Sequence, residues 1–195
     1  MRFQPGDMIG FADCSMMSFG IRVCSGGRCG SGLSHVGIVV EHPDYRSPLI
    51  FEATTRCSLP CLYANERVSG VQAHRLAERI AQFSGSVWHY PLTIPLGLRQ
   101  MANLRRYCVD SLGLPYDWWG AWLARRTFIR CLTRRFVRDR TLGKLFCSEF
   151  VVRAWAAVAF TGLPADLAPT QLATLAVKRG FLQPPEQVIL KQLGA

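Results

Sequence analysis

The chain changes its hydrophobic period once, at Pro95, and that switch bounds what it can fold into. Before it lie short stretches rich in Val, Ile, Phe, Tyr and Trp, at residues 7–11, 35–41, 49–55, 70–75 and 86–92, each bounded by turn residues. This is the pattern of strands. Residues 76–84 are expected to form a short helix. After Pro95, Leu98, Met101, Leu104, Cys108 and Leu112 share one face of a helix over 97–112, which Gly113 and Pro115 stop. Two basic helical pieces follow over about 118–138, then a helix from Cys147 to Phe160 and a short one from Pro169 to Val177. Strands followed by helices imply the α+β class, helices packed on a mostly antiparallel sheet. A length of 195 residues suits one domain, 1–195, strand-rich over 1–95 and helix-rich over 96–195.

Composition excludes several classes. Apolar residues make up 49 %, enough for a sizeable core and too many for disorder. No apolar run reaches the roughly 18 residues that span a bilayer. Met1 to Gly10 carries no apolar signal region, so a cytoplasmic start is the default, with delivery to the cell envelope left to other machinery. The eight cysteines are expected to be reduced thiols in that setting. Cys108 and Cys131 sit in apolar helical stretches as small hydrophobes. Cys24, Cys29, Cys57 and Cys61 are too loosely spaced for a structural zinc site. Neither a metal nor a cofactor is expected.

Net charge is +10, and seven arginines fall between Arg125 and Arg140. Phe128, Ile129, Leu132, Phe136 and Val137 interleave with them near the spacing of one helix face. A solvated amphipathic helix is the favoured reading; a dock for an anionic membrane or acidic polymer is the sharper one. Nucleic acid ranks last, because few aromatics alternate with the arginines as base-stacking platforms require.

The chemistry centres on His35, at the head of the strand Ser34-His35-Val36-Gly37-Ile38, and Cys147, at the head of the helix Cys147-Ser148-Glu149-Phe150. A thiol at a helix N-terminus is favoured as thiolate by the exposed N–H groups and the dipole. A nearby imidazole would complete a thiolate–imidazolium pair, and the order of the two in the chain is immaterial. The turn His42-Pro43-Asp44-Tyr45-Arg46 suggests a register in which paired residue numbers sum to about 87, so that Glu52 lies opposite His35 and can hold its ring. A slip by one residue would move Glu52 to the other face. Such a site attacks an acyl carbon, forms a thioacyl intermediate, then hydrolyses or transfers it. Among the other histidines, His42 lies in a turn, His74 on a polar strand face, and His89 has no partner nearby in sequence.

Gly6-Asp7-Met8-Ile9, Ser34-His35-Val36-Gly37-Ile38, Phe51-Glu52-Ala53 and Phe146-Cys147-Ser148-Glu149-Phe150 together resemble the circularly permuted branch of the papain-like NlpC-type hydrolases, the YiiX-like group. Gly70-Val71, Val87-Trp88-His89-Tyr90, Leu114-Pro115-Tyr116-Asp117 and Ala168-Pro169-Thr170 follow in matching order, so the resemblance runs along nearly the whole chain. It implies a papain-like fold, Cys147 as nucleophile, His35 as base and Glu52 as the polar third member. It also implies a cysteine peptidase or amidase acting on a peptide or acyl substrate, with cell-wall peptides among the family's substrates and a bacterial or phage source in keeping. Related permuted members handle lipid esters and acyl transfer. Tyr116 and Asp117 match a family segment and are candidate substrate-binding residues; a turn with a capping Asp is the competing reading. The arginine-rich stretch and the cysteine-rich loop before His35 depart from the family pattern. A thiol-dependent lipid hydrolase or acyltransferase at an anionic membrane, and a non-enzymatic basic binding module, are the alternatives.

Overall fold

The computed structural model describes residues 2–12, 32–55, 57–117 and 145–189. The basic helical pieces expected over 118–138, the segment Arg125–Arg140, Cys131 and the cysteines at 24 and 29 lie outside them.

Every strand expected from the alternating pattern forms. They are β1 (Met8–Ala12), β2 (His35–Val40), β3 (Leu49–Thr54), β4 (Gly70–Arg75) and β5 (Ser86–Tyr90). The helices are α1 (Leu76–Gln82), α2 (Leu98–Asp110), α3 (Cys147–Ala156) and α4 (Pro169–Lys178), followed by a two-residue strand β6 (Glu186–Gln187) that the sequence pattern did not signal. The six strands form one sheet in the order β4-β3-β2-β1-β5-β6, with antiparallel neighbours throughout. The architecture is therefore α+β.

Alternation along the strands feeds two cores, because successive side chains leave opposite faces of a sheet. Val36, Ile38 and Val40, Leu49, Phe51 and Ala53, and Val71 and Ala73 pack with Leu104 and Cys108 of α2, Phe150 and Trp155 of α3, and Leu172 of α4. Ile9, Phe11, Val39 and Ile50 pack on the other face with Leu76 and Ile80 of α1 and with Val87 and Val188. Complete burial of each such Leu, Ile or Phe is worth about 1.5–3 kcal/mol. Leu98, expected on the buried stripe of α2, is instead exposed, while Leu104 and Cys108 carry that stripe. Leu98 is the first helical residue, and its side chain lies beyond the edge of the surface that α2 covers.

Two departures from the sequence pattern are informative. The β2–β3 ladder pairs Ile38 with Phe51, Val39 with Ile50 and Val40 with Leu49, so paired numbers sum to 89 rather than 87. The tight turn is where it was expected, closed by Tyr45 N–H donating to the His42 carbonyl at 3.0 Å. Arg46 to Pro48 then lengthen only the β3 arm, and the ladder slips by two. Helix α3 ends at Ala156, earlier than the expected Phe160. There Ala159 adopts φ +70°, the Ala159 N–H donates to the Ala156 carbonyl at 3.1 Å, and the Phe160 N–H to the Trp155 carbonyl at 3.0 Å. This is a Schellman closure with Ala at the position usually held by Gly.

Candidate active site

His35 opens β2 and Cys147 opens α3, and the cores bring these two ends together. Trp155 donates its indole N–H to the Gly6 carbonyl at 2.9 Å, tying α3 to the turn before β1. Ahead of His35, the Thr170 hydroxyl at the start of α4 accepts from the Leu33 N–H at 2.9 Å and faces the Leu33 carbonyl at 3.3 Å. Ser34 is held from the other side, its N–H and hydroxyl both donating to the Phe11 carbonyl. Ala168-Pro169-Thr170, singled out in the sequence, thus fastens the residues that precede His35.

The two-residue slip keeps Glu52 on the same face as His35, since the side-chain period is two. Continued to the strand end, the observed register puts Thr54 opposite His35 and Glu52 on the diagonal, a separation that a long side chain spans. The Glu52 Oε2–His35 Nε2 distance is 2.6 Å. With Nε2 taken by the carboxylate, Nδ1 is the ring nitrogen left for Cys147, and the two side chains are close enough to shift one another's pKa. The three residues expected from the sequence meet, by a diagonal instead of a direct cross-strand pairing.

Electrostatics follow from this contact. Burial alone would lower the pKa of His35, but the hydrogen bond to Cys147 and the hydrogen bond and charge of Glu52 outweigh it and raise the ring to about 9. Burial would raise Glu52; the charge of Arg79 and the bond and charge of His35 pull it down to about 2. Burial also opposes ionisation of Cys147, yet its thiol is lowered by the His35 bond and charge, by the Val36 backbone N–H and by the Ser148 hydroxyl. The Ser148 Oγ lies 4.0 Å from Sγ. Phe150 N–H is bonded to the Phe146 carbonyl, so the N–H groups of the first turn, from Cys147 on, have no partner within the helix. Cys108, buried in the core with no such partners, has its thiol pushed far up by desolvation. Cys57, Cys61, Cys108 and Cys147 are all free thiols.

Arg79 was not singled out in the sequence, and it is the largest omission. From α1 its Nε donates to Glu52 Oε1 at 2.6 Å and a terminal nitrogen to Oε2 at 3.3 Å. The signal was there in outline: Leu76, Ile80 and Phe83 mark the inward stripe of this helix, and Arg79 lies within it. His74 also sits deeper than a polar strand face implied. It is buried, its Nε2 lies 3.0 Å from Gln72 Oε1 and 3.8 Å from Glu52 Oε1, and its Nδ1 lies 3.2 Å from the Pro60 carbonyl. Burial lowers its pKa, only partly offset by Glu52. His89 has a partner after all: Asp7 Oδ2 at 2.7 Å, on a carboxylate that also accepts from the Leu92 and Gln4 N–H groups. That pair braces β1, β5 and the following turn.

Tyr116 and Asp117 are fastened to the segment that leads into Cys147. Tyr116 bridges to Leu145 in parallel, Leu145 N–H donates to the Pro115 carbonyl at 3.1 Å, and Asp117 N–H to the Leu145 carbonyl at 3.1 Å. Asp117 is buried and Tyr116 half-buried. The same loop runs against β4, where the Val71 N–H donates to the Leu114 carbonyl at 2.9 Å and Gly70 has φ +124°.

Among the described residues, Glu52, Cys57 and His74 bring potential metal-ligand atoms within 4.8 Å of one another. The surroundings do not fit a resident ion. The Gln72 amide nitrogen donates to the Thr54 and Val68 carbonyls, which turns its oxygen to His74, so that both ring nitrogens already face protein oxygens. Glu52 Oε1 is occupied by the Arg79 guanidinium, whose charge would oppose a second cation.

No protein-family model matches the chain, and no curated protein matches it either. Among solved structures, the chain is similar to the crystal structure of a metalloprotein, YiiX, from Escherichia coli O157:H7. The match has a TM-score of 0.60 at 18 % identity and covers 97 % of this chain and 98 % of that one. Likeness at this identity is a likeness of fold: the chain has a YiiX-like α+β fold that carries a Cys-His-Glu cluster.

Proposed function

We propose that the protein is a cysteine hydrolase of papain-like design, in the permuted NlpC-type arrangement, that cleaves an amide bond in a peptide through a thioacyl intermediate. The observation that carries this reading is the grouping of Cys147, the half-buried His35 ring and the buried Glu52, anchored by the 2.6 Å contact between Nε2 and Oε2. A surface His and a structural Cys have no need of a buried carboxylate behind the ring.

In this reading the Cys147 thiolate attacks the carbonyl carbon, and the C=O electron pair moves to oxygen. N–H groups of the first turn of α3, which have no partner within the helix, are the proposed donors to that oxyanion. Collapse breaks the C–N bond, and the His35 imidazolium gives its proton to the leaving amine. Neutral His35 then takes a proton from water, whose oxygen attacks the thioester. The carboxylic acid leaves, and the thiolate–imidazolium pair is restored. Glu52 keeps the ring oriented and supports its positive charge throughout. Tyr116 and Asp117, fastened to Leu145 two residues before Cys147, are the proposed substrate contacts.

The substrate is proposed as a peptide amide, cell-wall peptides being one source. A lipid ester is the second reading, favoured by the Arg125–Arg140 run in the sequence. The metal named for YiiX is not extended to this chain, given Arg79. The test is turnover of a panel of peptide amides and lipid esters by the wild type and Cys147→Ala. The expected result is amide cleavage that Cys147→Ala abolishes while the fold survives; undiminished turnover by that variant overturns the reading, and cleavage of esters alone moves it to the lipid substrate.

A further inference from the structure

The guanidinium of Arg79 grips both carboxylate oxygens of Glu52. Its Cζ lies 4.5 Å above the Phe11 ring and 5.6 Å from that of Phe83. Phe11 in turn meets Phe83 edge-on at 5.0 Å and His35 at 5.6 Å. The guanidinium is thus held by two aromatic faces as well as by the carboxylate, a partly desolvated cation–π seat. Glu52 is fully buried and Arg79 is 6 % exposed.

Four groups therefore interact in succession, from α3 through β2 and β3 to α1: Cys147, His35, Glu52 and Arg79. In the reactive state their charges alternate, negative, positive, negative, positive, and the set as a whole is neutral. Without Arg79 the same set carries two anions and one cation. A buried net charge is costly, and the group that can neutralise itself does so by changing its protonation.

No other described group takes up this function. His74, from β4, is hydrogen-bonded to Gln72, and burial lowers its pKa. Cys57 is half-buried and adds no cation. Glu78 on α1 faces outward to Arg75 at 3.6 Å, and Arg67 reaches this region only through its field at Cys57.

We propose that Arg79 is a positioning residue that offsets the second negative charge of the Cys147–His35–Glu52 set and holds Glu52 turned toward His35, so that the thiolate persists at neutral pH. The assignment rests on the hydrolase reading above. Arg79 never touches substrate; it acts through Glu52.

The experiment is the pH dependence of Cys147 alkylation by iodoacetamide, followed by peptide mapping, in the full chain and in its Arg79→Met and Arg79→Lys variants, with near-ultraviolet circular dichroism to report folding. The expected result is that Arg79→Met moves the acid-side midpoint of Cys147 alkylation up by about one pH unit, roughly tenfold in reactivity at the foot of the curve. Arg79→Lys keeps the charge and leaves the midpoint near that of the wild type, while turnover falls through loss of the two-point grip. A folded Arg79→Met with an unmoved midpoint overturns the proposal. So does an Arg79→Lys variant shifted by a full unit, which is the deciding variant if Arg79→Met does not fold. A wild-type Cys147 that titrates like an ordinary thiol overturns the hydrolase reading itself, so the two failures are distinguishable.

Discussion

Glu52 reaches His35 across a diagonal of the β2–β3 ladder, with 2.6 Å between Oε2 and Nε2. The carboxylate is fully buried and also accepts from Arg79. Glu52→Gln keeps the shape and removes the charge, so the ring loses the partner that supports imidazolium and Arg79 loses its counter-ion. Turnover is expected to fall on the order of 10²-fold or more. Stability is expected to fall by about 3–5 kcal/mol, because one partner of a buried pair is left charged and alone. Steady-state kinetics and urea unfolding of the same variant measure both; a change under threefold in turnover would contradict the role given to Glu52.

The pH dependence separates two readouts. Hydrolysis needs a proton on His35 to expel the amine, so its rate is expected to decline as pH rises through about 9. Alkylation needs only the thiolate and is expected to stay high above that pH. Parallel decline of the two would place the proton somewhere other than His35.

Stability should follow linkage with opposite signs for the two partners. The pKa of His35 is raised from 6.5 to about 9, so its contribution is fully present below pH 6.5 and is lost as pH rises through 9. That of Glu52 is lowered from 4.5 to about 2, so its contribution is present above pH 4.5 and is lost as pH falls through 2. Both are complete only between about pH 4.5 and 6.5. Urea midpoints measured across pH should fall on either side of that window, and Glu52→Gln should flatten both slopes.

Ala159 takes the left-handed conformation at the end of α3, with φ +70°. A glycine adopts it without the Cβ clash, so Ala159→Gly is expected to stabilise the fold by about 1 kcal/mol. Gly70 is the opposite case. At φ +124° a methyl group there meets the Leu114 carbonyl, so Gly70→Ala is expected to destabilise by more than about 2 kcal/mol and to loosen the loop bearing Tyr116. Thermal unfolding of the two variants should move in opposite directions.

Arg79 occupies the carboxylate oxygen that an ion shared with Cys57 and His74 would need. Dialysis against a chelator is therefore expected to leave turnover and the unfolding temperature unchanged. Loss of either on chelation, with recovery on adding zinc, would show that the cluster binds a metal.

The sequence made the strands legible because Val, Ile and Phe alternate within short stretches bounded by turns. It made His35, Glu52 and Cys147 legible as an ensemble, because each stands at a telling place in its own element. It did not make the register legible: the turn at His42–Tyr45 was read correctly, but Arg46 to Pro48 extend one arm, and nothing local reports that. The inference survived because a slip of two preserves the face. Arg79 was hidden among 23 basic residues, since only packing tells a buried guanidinium from a solvated one. The Asp7–His89 pair joins positions 82 residues apart, beyond any local pattern.

The most direct measurement is competitive labelling of the whole chain by a limiting acyl-type electrophile near neutral pH, followed by peptide mapping of all eight cysteines. The account predicts that Cys147 is labelled first and that His35→Ala abolishes its advantage. Labelling spread evenly over the accessible thiols, or an advantage at Cys147 that His35→Ala leaves intact, would contradict it.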